Sequence, residues 1–304
     1  MTRLGDRLSN YAIFLALALE FAVLASATDS FLTAGNLSNV LRQNAFTAIL
    51  AAGMTFVIIT GGIDLSVGSV VGLSGVVCAG LLSHGVGLGL SLPAALALGL
   101  GIGFVNGLAT TKLKVPAFIV TLAMMQVARG AALKYTDART ITSLPAVFSA
   151  LAGGWATAIA VCAVFGLSWL VLIRTPFGRH VYAVGGNAEA ARLSGIRVER
   201  VQLVVYSICG GCAGLAGILV ASRLNAGYPR AGEFYELDAI AAVVVGGTSL
   251  FGGRGSIWGT LAGAFFIGVL NNGLNLFRVS TYDQLILKGV VLLAAASLDR
   301  WRSA

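Results

Sequence analysis

Along 304 residues the chain presents one apolar run after another, each about long enough to cross a lipid bilayer. Short gaps between the runs carry most of the charge. A helix rises about 1.5 Å per residue, so a hydrocarbon layer about 30 Å thick needs roughly 20 apolar residues to cross it. Ten runs are candidates for such crossings, at about 10–28, 44–60, 66–83, 88–110, 116–133, 150–173, 201–221, 236–250, 256–276 and 284–299. Glycines and polar residues interrupt the second, third, eighth and ninth. The gaps leave no room for a water-soluble domain. The expected fold is therefore all-α: a polytopic integral membrane helix bundle of about ten transmembrane helices, with residues 1–304 forming one domain.

Composition removes the alternatives. Hydrophobic residues make up 57% and charged residues 11%, against roughly 25% charged in a soluble domain. So few charges cannot cover a soluble surface, and a disordered chain would be apolar-poor. The net charge of +8 follows membrane topology and not nucleic-acid binding, since the basic residues sit in the gaps and form no exposed stripe. Arg3, Arg7, the apolar stretch from Tyr11 to Leu24 and the small residues Ala25-Ser26-Ala27 have the pattern of a signal peptide. The run continues to about Thr28, which reads as a retained first helix. Cys78, Cys162, Cys209 and Cys212 all lie inside apolar runs. Cys209-x-x-Cys212 has no second pair and no histidine nearby, so no metal site is expected.

Cytoplasmic loops collect Lys and Arg. With the N-terminus inside, the inner gaps hold Arg3, Arg7, Lys112, Lys114, Arg174, Arg179, Arg192, Arg197, Arg200, Arg254, Arg300 and Arg302. That is 12 of the 20 basic residues, and ten crossings place both termini in the cytoplasm. Glycines four apart, at Gly99, Gly103 and Gly107, at Gly68 and Gly72, and at Gly259 and Gly263, give helix faces on which backbones approach closely.

Two segments resemble each other: GGIDLSVGSVVGLSGV from Gly61 and GGTSLFGGRGSIWGTLAGA from Gly246. Each follows an apolar run and breaks at paired glycines, Gly61 with Gly62 and Gly246 with Gly247. Each then resumes through Gly-Ser into another helix. Asp64 lies in the first break, where a carboxylate either caps the following helix or marks a solute pathway. Glu20, in the first run, has no capping role on offer. Asn106, Gln126, Asn225, Glu236, Asp238, Asn271, Asn272 and Asn275 are the other polar residues of the runs. Neutral amides at Asn106, Asn271, Asn272 and Asn275 suit either a polyhydroxylated solute or hydrogen bonds between helices.

The longest inner segment, 174–200, reads RTPFGRHVYAVGGNAEAARLSGIRVER. Within it, Glu189-Ala190-Ala191-Arg192-Leu193-Ser194-Gly195 fits the pattern EAA-x3-G. A short helix beginning at Asn187 or Ala188 places Glu189 in its first turn, favourable against the helix dipole, and Gly195 supplies the left-handed stop. Ala190 and Ala191 are small, as a helix pressed into a partner's cleft requires.

On these residues the chain resembles the permease subunits of bacterial ABC importers, and in particular the ribose/xylose/galactose-type monosaccharide permeases. The resemblance rests on GGIDLSVGS at Gly61, GRHVYAVGGNAEAARLSGI at Gly178 and YELDAIAAVVVGGTSLFGGRGSIWGTLAGAFFIGVLNNGLNL at Tyr235, and it runs from about Phe31 to Leu298. The Ile-x-Leu-Pro that usually continues the general coupling motif is absent. The resemblance implies a bacterial inner-membrane subunit that pairs with a second permease subunit, a copy or a paralogue. It also implies a cytoplasmic ATPase docked through Glu189, Ala190, Ala191, Arg192 and Gly195, and a periplasmic sugar-binding protein that delivers substrate to the outer face, where the charges of the outer loop Arg223–Phe234 (Arg223, Arg230 and Glu233) are expected to meet it. No G-x4-G-K-[ST] occurs, so nucleotide chemistry belongs to the partner; no catalytic residue and no cofactor is expected. An ion-coupled secondary transporter and an ABC permease for branched-chain amino acids are the rival readings. The sequence does not name the sugar.

Overall fold

The computed structural model describes the backbone of residues 2–303 and the side chains of 13–153, 155–297 and 299–300. Tyr11 and three of the arginines counted for orientation, Arg3, Arg7 and Arg302, lie outside the described side chains. The described residues form helices α1 (Thr2–Ala27), α2 (Ala34–Ile59), α3 (Val67–Ser83), α4 (Leu88–Lys112), α5 (Ala117–Tyr135), α6 (Ala146–Ser149), α7 (Gly154–Arg174), α8 (Pro176–Gly186), α9 (Ala188–Leu193), α10 (Val198–Leu224), α11 (Tyr235–Val245), α12 (Ile257–Leu276) and α13 (Thr281–Ser303). Among the described residues there is no strand, only one antiparallel bridge between Ile141 and Gly227. Among the described residues six helices, α2, α4, α5, α7, α10 and α12, are long and apolar enough to cross a membrane.

α10 occupies the centre, against α2, α3 and α4. Its contact with α4 is a seam between backbones. A Cβ on Gly99 would lie 2.8 Å from Gly214 Cα, and one on Gly107 would lie 2.8 Å from Leu203 Cα. On Gly103 it would overlap the Tyr206 carbonyl oxygen. Only glycine admits that approach, and in an apolar solvent close packing of this kind is what holds helices together. Outward, α4, α5 and α7 expose large apolar side chains such as Phe104, Leu122, Ile159 and Leu167.

The run at 236–250 departs most from expectation. Its helix α11 has 11 residues and covers about 16 Å, about half the bilayer core. The segment before it, 226–234, is non-helical chain. α10 stops at Asn225, φ +47, and Gly227 exchanges two backbone hydrogen bonds with Ile141, at 2.8 and 2.9 Å. The chain then folds back along α3 until Gly232 lies against the Gly68 carbonyl. Backbone carbonyls buried away from water need a donor, and Arg129 of α5 supplies one. Its Nη1 donates to Pro229 O at 2.7 Å and to Ala231 O at 3.0 Å, and its Nη2 to Gly68 O at 3.4 Å. The stretch expected as an open outer loop is thus partly interior: Gly227, Pro229 and Gly232 are buried, while Tyr228 and Arg230 remain exposed.

Candidate functional site

The arginine-rich segment folds as two short helices meeting at Asn187. Thr175 caps α8 by accepting from Gly178 N–H at 3.2 Å, and Pro176 takes the first helical position, where an N–H would have no partner. Asn187 Oδ1 then accepts from the N–H groups of Glu189 and Ala190, at 3.0 and 2.9 Å, and starts α9. α9 ends on Gly195, φ +84. Gly195 N–H donates to Arg192 O at 2.9 Å, and Ile196 N–H to Ala191 O at 3.0 Å. This is the paired closure that a left-handed residue permits. A Cβ on Gly195 would meet nothing within 4 Å, so glycine is needed there for φ and not for space.

The two alanines of the motif point different ways. Ala190 is exposed with Glu189, whereas Ala191 is 4% exposed and packs into this chain's own core. The expectation that Ala191 meets a partner's cleft is therefore corrected. The outward face of α9 is Glu189, Ala190 and Leu193, and Leu193 is 87% exposed. Arg192 instead turns to Glu199, Nη2 to Oε1 at 2.5 Å, with both side chains about half exposed. Such a pair contributes little to stability, about 0–1 kcal/mol.

Both helix breaks close by the same device, but out of register with the glycine pairs. After α2 the left-handed residue is Gly61, φ +78, and after α11 it is Gly247, φ +89. Gly61 N–H donates to Ile58 O and Gly62 N–H to Val57 O; Gly247 N–H donates to Val244 O and Thr248 N–H to Val243 O. Gly61 thus matches Gly247, one position off the pairing that the letters suggest. Gly62 and Gly246 serve close approach: a Cβ on Gly62 would overlap the Tyr206 hydroxyl, and one on Gly246 would overlap Gly259 O. The two breaks touch, since Gly253 N–H donates to Ile59 O at 2.8 Å. α8 joins them through Tyr182 Oη, which donates to Gly255 O at 3.0 Å. Burial holds the Tyr182 phenol above its ordinary pKa, keeping it a neutral donor.

Asp64 and Asn106 meet through a residue that the sequence did not single out. Asp64 Oδ1 accepts from Ser66 N–H at 2.9 Å and from Ser66 Oγ at 2.6 Å, and Asn106 Nδ2 donates to Ser66 Oγ at 2.9 Å. α3 starts at Val67 with Ser66 as its first flanking residue. Asp64 therefore forms a side-chain turn onto Ser66 just before the helix and does not cap it. Asp64 Oδ2, Asn106 Oδ1 and Tyr206 Oη are all buried without a partner. Tyr206 also lines a cavity of about 760 Å³ with Gly61, Gly62, Thr110, Lys114, Arg192, Glu199 and Gln202. Nothing in the apolar run of α10 marks Tyr206 in advance except its hydroxyl.

The three asparagines of α12 lie elsewhere. Asn272 exchanges amide hydrogen bonds with Asn36 of α2, at 2.8 and 3.0 Å, and Asn275 Oδ1 accepts from Gln284 at 2.9 Å. Asn271 Oδ1 is buried and free. Glu20 likewise keeps both carboxylate oxygens buried and unpartnered.

Glycine-seamed helices of membrane-crossing length, two touching helix breaks and a capped segment packed against them make a helical bundle of membrane type. The chain belongs to the family described as branched-chain amino acid transport system / permease component, which matches residues 36–296. It is 50% identical to the ribose import permease protein RbsC of Bacillus subtilis, over 96% of this chain and 92% of that one. It is 46% identical to RbsC of Escherichia coli K12, over 94% and 92%. With the xylose transport system permease protein XylH of Escherichia coli K12 it shares 40% identity, over 97% and 93%. No solved structure matches.

Proposed function

We propose that this chain is the permease subunit of an ATP-driven ABC importer for a monosaccharide, an aldopentose with ribose foremost, in the bacterial inner membrane. The observation that carries the reading is identity of 40–50% along nearly the whole chain to permeases named for ribose and xylose. Residues 1–304 act as one permease domain of ten crossings with both termini cytoplasmic. The eighth crossing is α11 completed by the inserted segment 226–234, and lipid covers the apolar faces of α4, α5 and α7. Support for this orientation comes from mutual contact among 59–62, 111–117, 182–199 and 252–255, which include gaps rich in Lys and Arg. Asp299 of α13 also reaches this end, accepting from Leu250 N–H at 2.9 Å.

A second permease subunit completes the pore. A separate ATPase docks on Glu189, Ala190 and Leu193, with Gly195 closing the helix they stand on, and a periplasmic binding protein delivers the sugar. Asp64, Asn106 and Tyr206 carry unpaired polar atoms suited to a hydroxylated solute; Asn272 and Asn275 hold helices together. The family's description names branched-chain amino acids, so substrate must be tested directly. Purified permease with its ATPase and binding protein in proteoliposomes should accumulate ribose on ATP addition. Accumulation of leucine instead, or ribose uptake driven by an ion gradient without ATP, would overturn the proposal.

A further inference from the structure

Two breaks nearly 200 residues apart meet on one face of α8, and the meeting point is made of backbone alone. Gly253 N–H donates to Ile59 O at 2.8 Å, and Gly185 of α8 sits on that hydrogen bond. A Cβ on Gly185 would overlap the Ile59 carbonyl oxygen and lie 2.5 Å from Gly253 N. A Cβ on Gly252 would lie 2.9 Å from Gly185 O, 3.0 Å from Gly61 N and 3.1 Å from Ile59 O. One on Gly253 would lie 2.9 Å from Gly186 Cα. Tyr182, about one turn earlier on α8, ties to Gly255 O at 3.0 Å. No side chain stands between these segments at the junction. A contact between side chains can absorb a displacement by changing rotamer, whereas backbones already touching have no such slack.

We infer that Gly185 is the transmitting contact of the coupling segment. A displacement of α8 and α9 moves the end of α2 and the loop between α11 and α12 together, as one body. Ile59 ends the helix whose break leads directly to Asp64 and Ser66, so the motion arrives at the buried polar cluster without crossing a flexible side chain. This rests on the proposal that α9 docks an ATPase. Gly185 is here a positioning residue: it touches neither sugar nor nucleotide.

The test compares three variants in the assembled complex with its ATPase and sugar-loaded binding protein. Gly185→Ala should still co-purify the ATPase yet lose at least tenfold of the stimulation of hydrolysis by loaded binding protein, and lose uptake with it. Gly186→Ala, whose added Cβ would meet nothing within 4 Å, should match wild type in stimulation and uptake. A merely structural role would lower yield or thermal stability without changing the ratio of stimulated to unstimulated hydrolysis. Gly185→Ala with stimulation within twofold of wild type overturns the inference, as does Gly186→Ala with an equal loss. Should Gly185→Ala fail to assemble, Tyr182→Phe decides. It should lower uptake at least threefold with co-purification unchanged, and wild-type uptake would overturn the inference. Failure of the wild-type chain to co-purify an ATPase would instead overturn the docking proposal.

Discussion

Leu193 is the most informative single position on α9. It stands 87% exposed on the last turn, so shortening it to alanine removes almost nothing from this chain's own packing. Stability should change by less than about 0.5 kcal/mol, as for an ordinary surface substitution. If the ATPase covers this face, the three carbons removed by Leu193→Ala were buried in the complex. At about 0.8 kcal/mol per carbon, that loss is about 2 kcal/mol. The ATPase should then bind about 30-fold more weakly. Titration of the ATPase onto permease in nanodiscs measures this directly, with a thermal melt of the permease alone as the companion. Ala191→Trp makes the contrast: at 4% exposure it overfills the core and should cost about 1–3 kcal/mol of stability, visible in the melt before any ATPase is added. A Leu193→Ala permease that binds the ATPase within twofold of wild type would refute the docking face.

The remaining expectations concern the bundle. Arg129→Met should destabilise by about 2–3 kcal/mol or more, because the carbonyls of Pro229 and Ala231 in the non-helical segment lose their donor. Arg129→Lys should recover only part, since an ammonium lacks the guanidinium's fork; thermal unfolding in detergent reads both. Asp64→Ala should cost about 1–3 kcal/mol by stranding the buried Ser66 N–H, while Asp64→Asn keeps an acceptor and most of the stability. In a double-mutant cycle, Asn36→Ala and Asn272→Ala should couple by about 0.6–2 kcal/mol; additivity would show that the amide pair contributes nothing. A cysteine at Leu193 should label only from the cytoplasm and one at Tyr228 only from the periplasm. Labelling of both from one side would overturn the topology.

Each run of about 20 apolar residues carries a helix, because spanning length and hydropathy are local properties of the chain. What eluded the sequence is non-local. The glycines of the eighth run stop its helix after 11 residues, at Gly246 and Gly247; what no local signal shows is that Arg129, a hundred positions earlier, supplies donors to the non-helical chain just before that helix. Ala190 and Ala191 are equivalent as letters, and only the docking of α9 against α10 sends one outward and the other inward. The paired glycines promised two matching breaks; which glycine turns left-handed depended on where each helix ended, shifting the match by one. Gly185 carried no local signal, for its neighbours across the contact are backbone atoms of segments more than 60 residues away.

The seam between α4 and α10 has a genetic consequence. A defect caused by enlarging a side chain in a packed core can often be relieved by shrinking its neighbour. At Gly103 the obstructing atom is the carbonyl oxygen of Tyr206, which every amino acid at that position carries. A strain bearing Gly103→Val should therefore yield revertants only at codon 103 itself, and a screen for compensating changes along α10 should return none.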